Sequence, residues 1–86
     1  MKPNDYTKRP RIDAIKMALV MSIERLEERG AILTSRKAQR CIIHDIRSTV
    51  EGVAKGEISA AISELRIRAK ETDDDHFGLI LRRLVV

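Results

Sequence analysis

The chain has 86 residues, of which 43% are hydrophobic and 35% charged, and it carries a net charge of +4. This length gives room for one domain, and the hydrophobic fraction is too high for a wholly disordered chain. No apolar run reaches the ~18–20 residues that cross a bilayer. The first residues lack the apolar stretch of a secretory signal, so we expect a cytoplasmic protein without a membrane partner.

Residues 1–10 are predicted to form a flexible basic arm, and residues 11–86 a single helical domain. Pro10 suits the position just before a helix, because the N–H that proline lacks has no partner in the first helical turn. From Arg11 onward, apolar residues recur at steps of three and four, which predicts a first helix ending before Gly30. The apolar stripe of this helix consists of Ile12, Ile15, Leu19, Ile23 and Leu26.

A second helix is predicted to begin after Thr34 or Ser35, either of which can cap its free N–H groups. It should run to about Ala54, and Gly56 stops it. At ~100° per residue, apolar and basic side chains fall on opposite faces of this helix. The apolar face consists of Ala38, Ile42, Ile46, Thr49, Val50 and Val53. The basic face consists of Lys37, Arg40, His44 and Arg47, with Arg36 beside them.

A third helix is predicted to open at Gly56 or Glu57. Helical spacing places its apolar residues on one stripe and four polar residues along a flank. The stripe consists of Ile58, Ile62, Leu65 and Ala69. The flank consists of Ser59, Ser63, Arg66 and Lys70.

The tail from Thr72 to Val86 has two interpretations. Acidic residues before it and arginines near its end suit the dipole of a short fourth helix. Alternating apolar residues would instead suit a β-hairpin that turns at residues 72–75. We favour the helix. The predicted fold is therefore all-α, a small three-helix bundle similar to a helix-turn-helix, closed by a short fourth helix or a β-hairpin.

Cys41 and His44 are the one pair of side chains that suggests chemistry, because a spacing of three brings them together on a helix. Nucleophilic catalysis also needs an orienting group in a cleft, and the isolated glycines form no phosphate-binding loop. A structural zinc site takes four ligands in two close pairs, of which only one is present. We therefore expect no enzyme, no small-molecule substrate, no cofactor and no metal site.

Met17, Val20 and Met21 lie off the core stripe of the first helix. A helix that is apolar on two sides is either enclosed in a core or used for association. This chain is too small to enclose many helices, and methionine side chains suit adaptable interfaces. These residues therefore predict a homodimer interface or a docking face for another protein. The alternative is that the apolar tail from Phe77 to Val86 covers them.

Basic residues are clustered along the chain, because residues 1–11 and residues 36–47 each hold four cations and one acid. Such clustering indicates a polyanion partner, although an ordinary solvated helix surface would also produce it. In a helix-turn-helix the second helix enters the major groove of DNA, where arginine reads guanine edges or phosphates. The scarcity of aromatic residues disfavours single-stranded nucleic acid.

The leading hypothesis is a small non-enzymatic transcription regulator that binds duplex DNA as a dimer. On the second helix, the residues expected to contact phosphates are Arg36, Lys37, Arg40 and Arg47, and His44 is expected to make a further polar contact. On the third helix, the residues expected to face the groove of the DNA are Ser59, Ser63, Arg66 and Lys70. The alternative is an inhibitor or adaptor, of the kind that phages and plasmids encode, docking on an acidic surface of a larger host protein. DNA binding should weaken steeply as salt rises, whereas an apolar protein interface should be far less sensitive to salt.

Overall fold

The computed structural model describes residues 3–85, and their side chains from Arg9 onward. The elements in chain order are α1 (Pro3–Glu28), α2 (Arg36–Thr49), α3 (Lys55–Glu71) and α4 (Asp75–Arg83). No strand occurs within the described residues, so the predicted all-α fold is confirmed. The tail forms the short fourth helix rather than the β-hairpin, and the Asp74 carboxylate caps it by accepting a hydrogen bond from the Phe77 N–H at 3.0 Å.

The first helix begins at Pro3, eight residues before the predicted start at Arg11, so Pro10 lies inside α1. The predicted start of the helix at Arg11 is therefore wrong, and residues 3–10 belong to α1, while Met1 and Lys2 lie outside the described residues. An interior proline removes one backbone hydrogen bond and crowds the preceding turn. Around Pro10, two arginines of α1 make ion pairs with α3, and these contacts hold this part of the helix.

The start of α2 follows from local capping. The Ser35 hydroxyl accepts a hydrogen bond from the Ala38 N–H at 3.1 Å, as the sequence predicts for the start of α2. That helix ends at Thr49, before the predicted limit at Ala54. Gly52, with a φ of 64°, then turns the chain in the left-handed region that glycine adopts without steric cost.

α1 is the central helix of the fold, because α2 and α3 both pack against it, and α4 packs against α3. The six residues predicted to lie deepest are at most 7% exposed, which confirms the predicted helix faces: Ile15, Leu19, Ile42, Ile46, Ile62 and Leu65. The main contacts of α2 are with α1, and those of α3 are with α1 and α4, rather than with each other. A helix-turn-helix arrangement of this pair therefore stays a prediction.

A buried polar contact fixes the rotation of α2 on α1. The Ser22 side chain of α1 is fully buried, and its hydroxyl donates a hydrogen bond of 2.6 Å to Oδ2 of Asp45 on α2. At ~100° per residue, Arg40 and Arg47 lie on roughly the opposite side of α2 from Asp45. The contact thus turns these arginines away from the core. None of the described helices is long and apolar enough to cross a membrane.

Candidate nucleic-acid interface

The basic face of α2 is a row of exposed side chains. Its members are Arg36, Lys37, Arg40, His44 and Arg47, all predicted from the sequence and all exposed. From Arg36 to Arg47 the row extends for about 16 Å along the helix axis. None of its four cations makes an ion pair with a side chain that the structure describes. This face therefore presents four available positive charges in one direction.

Negative charge on α2 is limited to one residue, Asp45. That carboxylate is partly buried and accepts the hydrogen bond from Ser22, so it faces α1. An acid held on the core side lies on the far side of the helix from Arg40 and Arg47, and it offsets their charge weakly. The helix is consequently polarised, with its acid inward and its cations outward.

A groove of ≈ 550 Å³ runs along the basic face, and its lining consists of Arg36, Gln39, Arg40, Ile43, His44, Arg47 and Val85. Ile43 and Val85 add apolar surface to this basic lining. Val85 follows α4 in the chain and is 81% exposed. Sequence analysis missed its place beside α2, because no local pattern reports a contact between residues some forty positions apart.

The predicted flank of α3 is exposed as its spacing indicates, at Ser59, Ser63, Arg66 and Lys70. The electrostatic surroundings of Arg66 and Lys70 differ from those of α2, however. Both cations line a groove of ≈ 290 Å³ together with Arg82 of α4 and with Asp74 and Asp75 of the α3–α4 corner. A phosphate entering this groove would meet two carboxylates as well as the cations. The structure thus groups the predicted residues of α2 and places Arg66 and Lys70 of α3 in a separate groove of mixed charge.

Three cations near the start of α1, Arg9, Arg11 and Lys16, are engaged within the chain. The Arg9 guanidinium contacts the two carboxylate oxygens of Glu64 at 2.7 and 3.0 Å, and the Lys16 ammonium lies 2.9 Å from Oε1 of the same residue. Both cations also lie 3.2 Å from Asp13. Hydrogen bonds from Arg9, and then from Lys16, lower the pKa of Glu64. This cluster joins α1 to α3 and leaves little free charge for a partner.

Arg11 makes a second connection, to the start of α3. Its guanidinium contacts the carboxylate of Glu57 at 2.7 and 3.0 Å and donates to the backbone carbonyls of Glu51 and Gly52, both at 3.3 Å. The same Glu57 carboxylate accepts a hydrogen bond from the N–H of Ala54 at 3.0 Å. The hydrogen bond with Glu57 is the main cause that raises the pKa of Arg11. Arg11 therefore holds the α2–α3 connection in place.

The predicted association residues lie on the surface between α1 and α3. Met17 is 67% exposed and Met21 is 50% exposed, while Val20 packs partly against the core. The alternative that the tail covers them is wrong, because α4 packs against α3 and leaves both methionines exposed. They line a groove of ≈ 370 Å³ with Asp13, Lys16, Val20, Leu65 and Arg68. We call this surface the α1–α3 groove.

The one pair that suggested chemistry has ordinary surroundings. Cys41 is a free, partly buried thiol, and the His44 ring lies 3.5 Å from the Ser48 hydroxyl. Across the part of the chain that the structure describes, no three His, Cys, Asp or Glu side chains are placed to hold a metal ion together.

No protein-family model, no curated protein and no solved structure matches this chain. Its function is therefore inferred from its own side chains and their arrangement.

Proposed function

We propose that this chain is a small non-enzymatic regulator that binds duplex DNA through the basic face of α2. The observation that carries the proposal is a set of four cations, without a described acidic partner, on the outward side of a helix whose one acid faces inward. Duplex DNA presents one phosphate charge per ~1.7 Å of its axis, so a basic row about 16 Å long can meet several phosphates at once. Each contact releases condensed counterions, which favours binding at low salt.

We expect α2 to make the primary contact with DNA and α3 the secondary one. Ser59 and Ser63 are small and exposed, which would permit close approach to a groove. Arg66 and Lys70, however, share their groove with Asp74 and Asp75. Since carboxylates repel phosphates, we expect affinity to come mainly from α2, with little preference for base sequence.

The test is fluorescence anisotropy with a labelled random duplex across a salt series. The double variant Arg40→Ala, Arg47→Ala should weaken binding and reduce the slope of log affinity against log salt by roughly two units, at about 0.9 for each phosphate that is no longer neutralised. Its matched control is Arg25→Ala, Arg29→Ala, which removes the same charge from exposed positions at the end of α1 that line neither the α2 groove nor the α3 groove. The control should leave the slope nearly unchanged.

Two results would reject the proposal. One is the absence of measurable binding by the parent protein at low salt. The other is an equal reduction of the slope in the α2 variant and in the Arg25, Arg29 control, which would indicate attraction to the net charge of the chain rather than to one face. Circular dichroism of each variant establishes that the helices remain formed.

A second candidate function is favoured by the apolar residues in the α2 groove. Ile43 and Val85 provide contacts that a phosphate backbone does not use, whereas an acidic protein surface with an apolar side chain would use both kinds of lining. In that case the chain is an inhibitor or adaptor. The exposed Val85 separates the two: Val85→Ser should leave DNA binding unchanged but weaken a protein complex through this groove.

A further inference from the structure

His44 lies within the basic face of α2, between two of its arginines. Arg40 precedes it by four residues and Arg47 follows it by three, which correspond to about 6 Å and about 4.5 Å along the helix axis. The ring is exposed, and it lines the groove on α2 together with Arg36, Arg40 and Arg47. Histidine is the side chain that ordinarily gains a proton between about pH 8 and pH 5. The number of positive charges on this face therefore depends on pH.

The charged residues around His44 in this groove are all cations. Among the described residues, no acid lines the groove on α2, whereas the α1–α3 groove contains Asp13 and the groove on α3 and α4 contains Asp74 and Asp75. The one acid of α2, Asp45, is directed at α1 by its hydrogen bond with the buried serine. No residue of α1 or α4 lines the groove, and the residue that follows α4 there is apolar. A proton gained by the ring thus adds charge that a polyanion can meet.

The hydrogen bonding of the ring also favours its protonated form as a phosphate contact. Nε2 of His44 lies 3.5 Å from the Ser48 hydroxyl, which is a long and weak contact. A neutral imidazole donates through one nitrogen and accepts through the other, whereas an imidazolium donates through both. Phosphate oxygens only accept, so the protonated ring can donate to a phosphate and to Ser48 at once. Its bond to the phosphate is then assisted by charge.

We infer that His44 makes DNA binding by the basic face of α2 dependent on pH, because its imidazolium is a fifth phosphate contact. This regulation rests on the proposed DNA binding. A phosphate beside the ring favours the charged form, so binding of DNA is accompanied by proton uptake, and protonation strengthens binding by the same factor. The contribution to affinity is full where the free ring already holds the proton, and it is lost as the pH rises until the bound ring releases it.

Fluorescence anisotropy with a labelled random duplex at two pH values tests this regulation. The affinity of the parent should be about three- to tenfold higher at pH 6 than at pH 8. The slope of log affinity against log salt should be steeper at the lower pH by up to about 0.9, because one more phosphate is neutralised. His44→Gln, which is polar but uncharged, should bind with nearly equal affinity at both pH values. His44→Lys, which carries a permanent charge, should keep the steeper slope at both.

The matched control is His76→Gln, because His44 and His76 are the two histidines of the chain. His76 is exposed on α4 and lines a separate groove with Glu27 of α1. This variant should keep the pH dependence of the parent. Cys41, three residues before His44 and outside the groove lining, is retained in every variant, so its titration affects all of them equally.

Three results would overturn the inference. Two of them leave the proposed DNA binding intact: a parent that binds equally at both pH values, and a His44→Gln variant that keeps the pH dependence of the parent. The third, no binding by the parent at either pH, would reject both proposals.

NMR of the histidine ring protons gives an independent measurement at the proposed contact. Each ring signal is assigned by its loss in the corresponding glutamine variant. A saturating amount of duplex should move the titration of His44 to higher pH and leave that of His76 close to its position in the free chain. A His44 ring that titrates at the same pH with and without duplex, or equal changes at the two histidines, would overturn the inference.

Discussion

The start of α1 and the basic face of α2 are similar in sequence but different in the folded chain. Residues 1–11 and residues 36–47 each hold four cations and one acid. In the structure, Arg9 and Arg11 are ion-paired with α3, whereas the cations of α2 have no described acidic partner. A sequence therefore shows how many charges a cluster contains, whereas ion pairing in the folded chain determines which of them can contact a partner.

The largest expected effect is on the free energy of unfolding and comes from the core of α1, the helix against which α2 and α3 pack. Leu19 is fully buried in the core. Leu19→Ala removes its methyl groups and leaves a cavity, so the free energy of unfolding should fall by ~2–5 kcal/mol. Urea unfolding followed by circular dichroism measures this decrease. An unchanged midpoint would contradict the placement of α1 at the centre of the fold.

The next effect concerns the contact that turns the basic face outward. Ser22→Ala removes the hydroxyl that donates to Asp45 and leaves a partly buried carboxylate without that hydrogen bond. The free energy of unfolding should fall by about 1–3 kcal/mol. Ser48→Ala, at an exposed serine of α2, is the control and should change stability by less than about 0.5 kcal/mol. Equal decreases in the free energy of unfolding for the two variants would contradict the role of Ser22 in orienting α2.

A smaller difference in thermal stability is expected between the variant of an ion-paired arginine and the variant of an arginine without a described ion pair. Arg11→Ala removes the Glu57 ion pair and the hydrogen bonds to Glu51 and Gly52, whereas Arg40→Ala removes no described ion pair. The midpoint of thermal unfolding should therefore fall further for Arg11→Ala than for Arg40→Ala. The reverse order would contradict the division of the cations into structural and available groups.

The smallest effect is a pH dependence from the α1–α3 ion pairs. The pKa of Glu64 is lowered in the folded chain, so its stabilising contribution is present above the pKa of the unfolded state. That contribution disappears as the pH falls through the lowered folded value. Glu64→Gln should therefore flatten the decrease in stability at acid pH, measured as thermal midpoints across a pH series. Glu24→Gln, at an exposed acid of α1 outside the described ion pairs, should retain the acid limb of the parent.

The elements that could be predicted from sequence are those in which the two faces of a helix differ strongly. α2 has apolar residues on one side and cations on the other, and its burial and exposure follow that division. Ser35 caps it as its residue type indicates. The core faces of α1 and α3 were also predictable, because stripes at steps of three and four identify residues such as Leu19 and Ile62.

The features that sequence analysis missed depend on contacts between distant residues. Pro10 indicated a boundary, but ion pairs from Arg9 and Arg11 to α3 hold α1 together around it. No local pattern links Val85 to the groove on α2, or Asp74 to the one that Arg66 lines. Such contacts are decided by packing after the helices have formed, so they cannot be read from periodicity.

The central claim is that the cations of α2, unlike Arg9 and Arg11 of α1, are available to a polyanion, and one paired measurement tests it. The salt dependence of binding to a random duplex would be measured by anisotropy for Arg40→Ala, Arg47→Ala and for Arg9→Ala, Arg11→Ala, with folding of both verified by circular dichroism. Each variant removes two positive charges. We predict that the first reduces the slope by roughly two units and that the second leaves it close to that of the parent. Equal reductions, or no binding by the parent at low salt, would contradict the account.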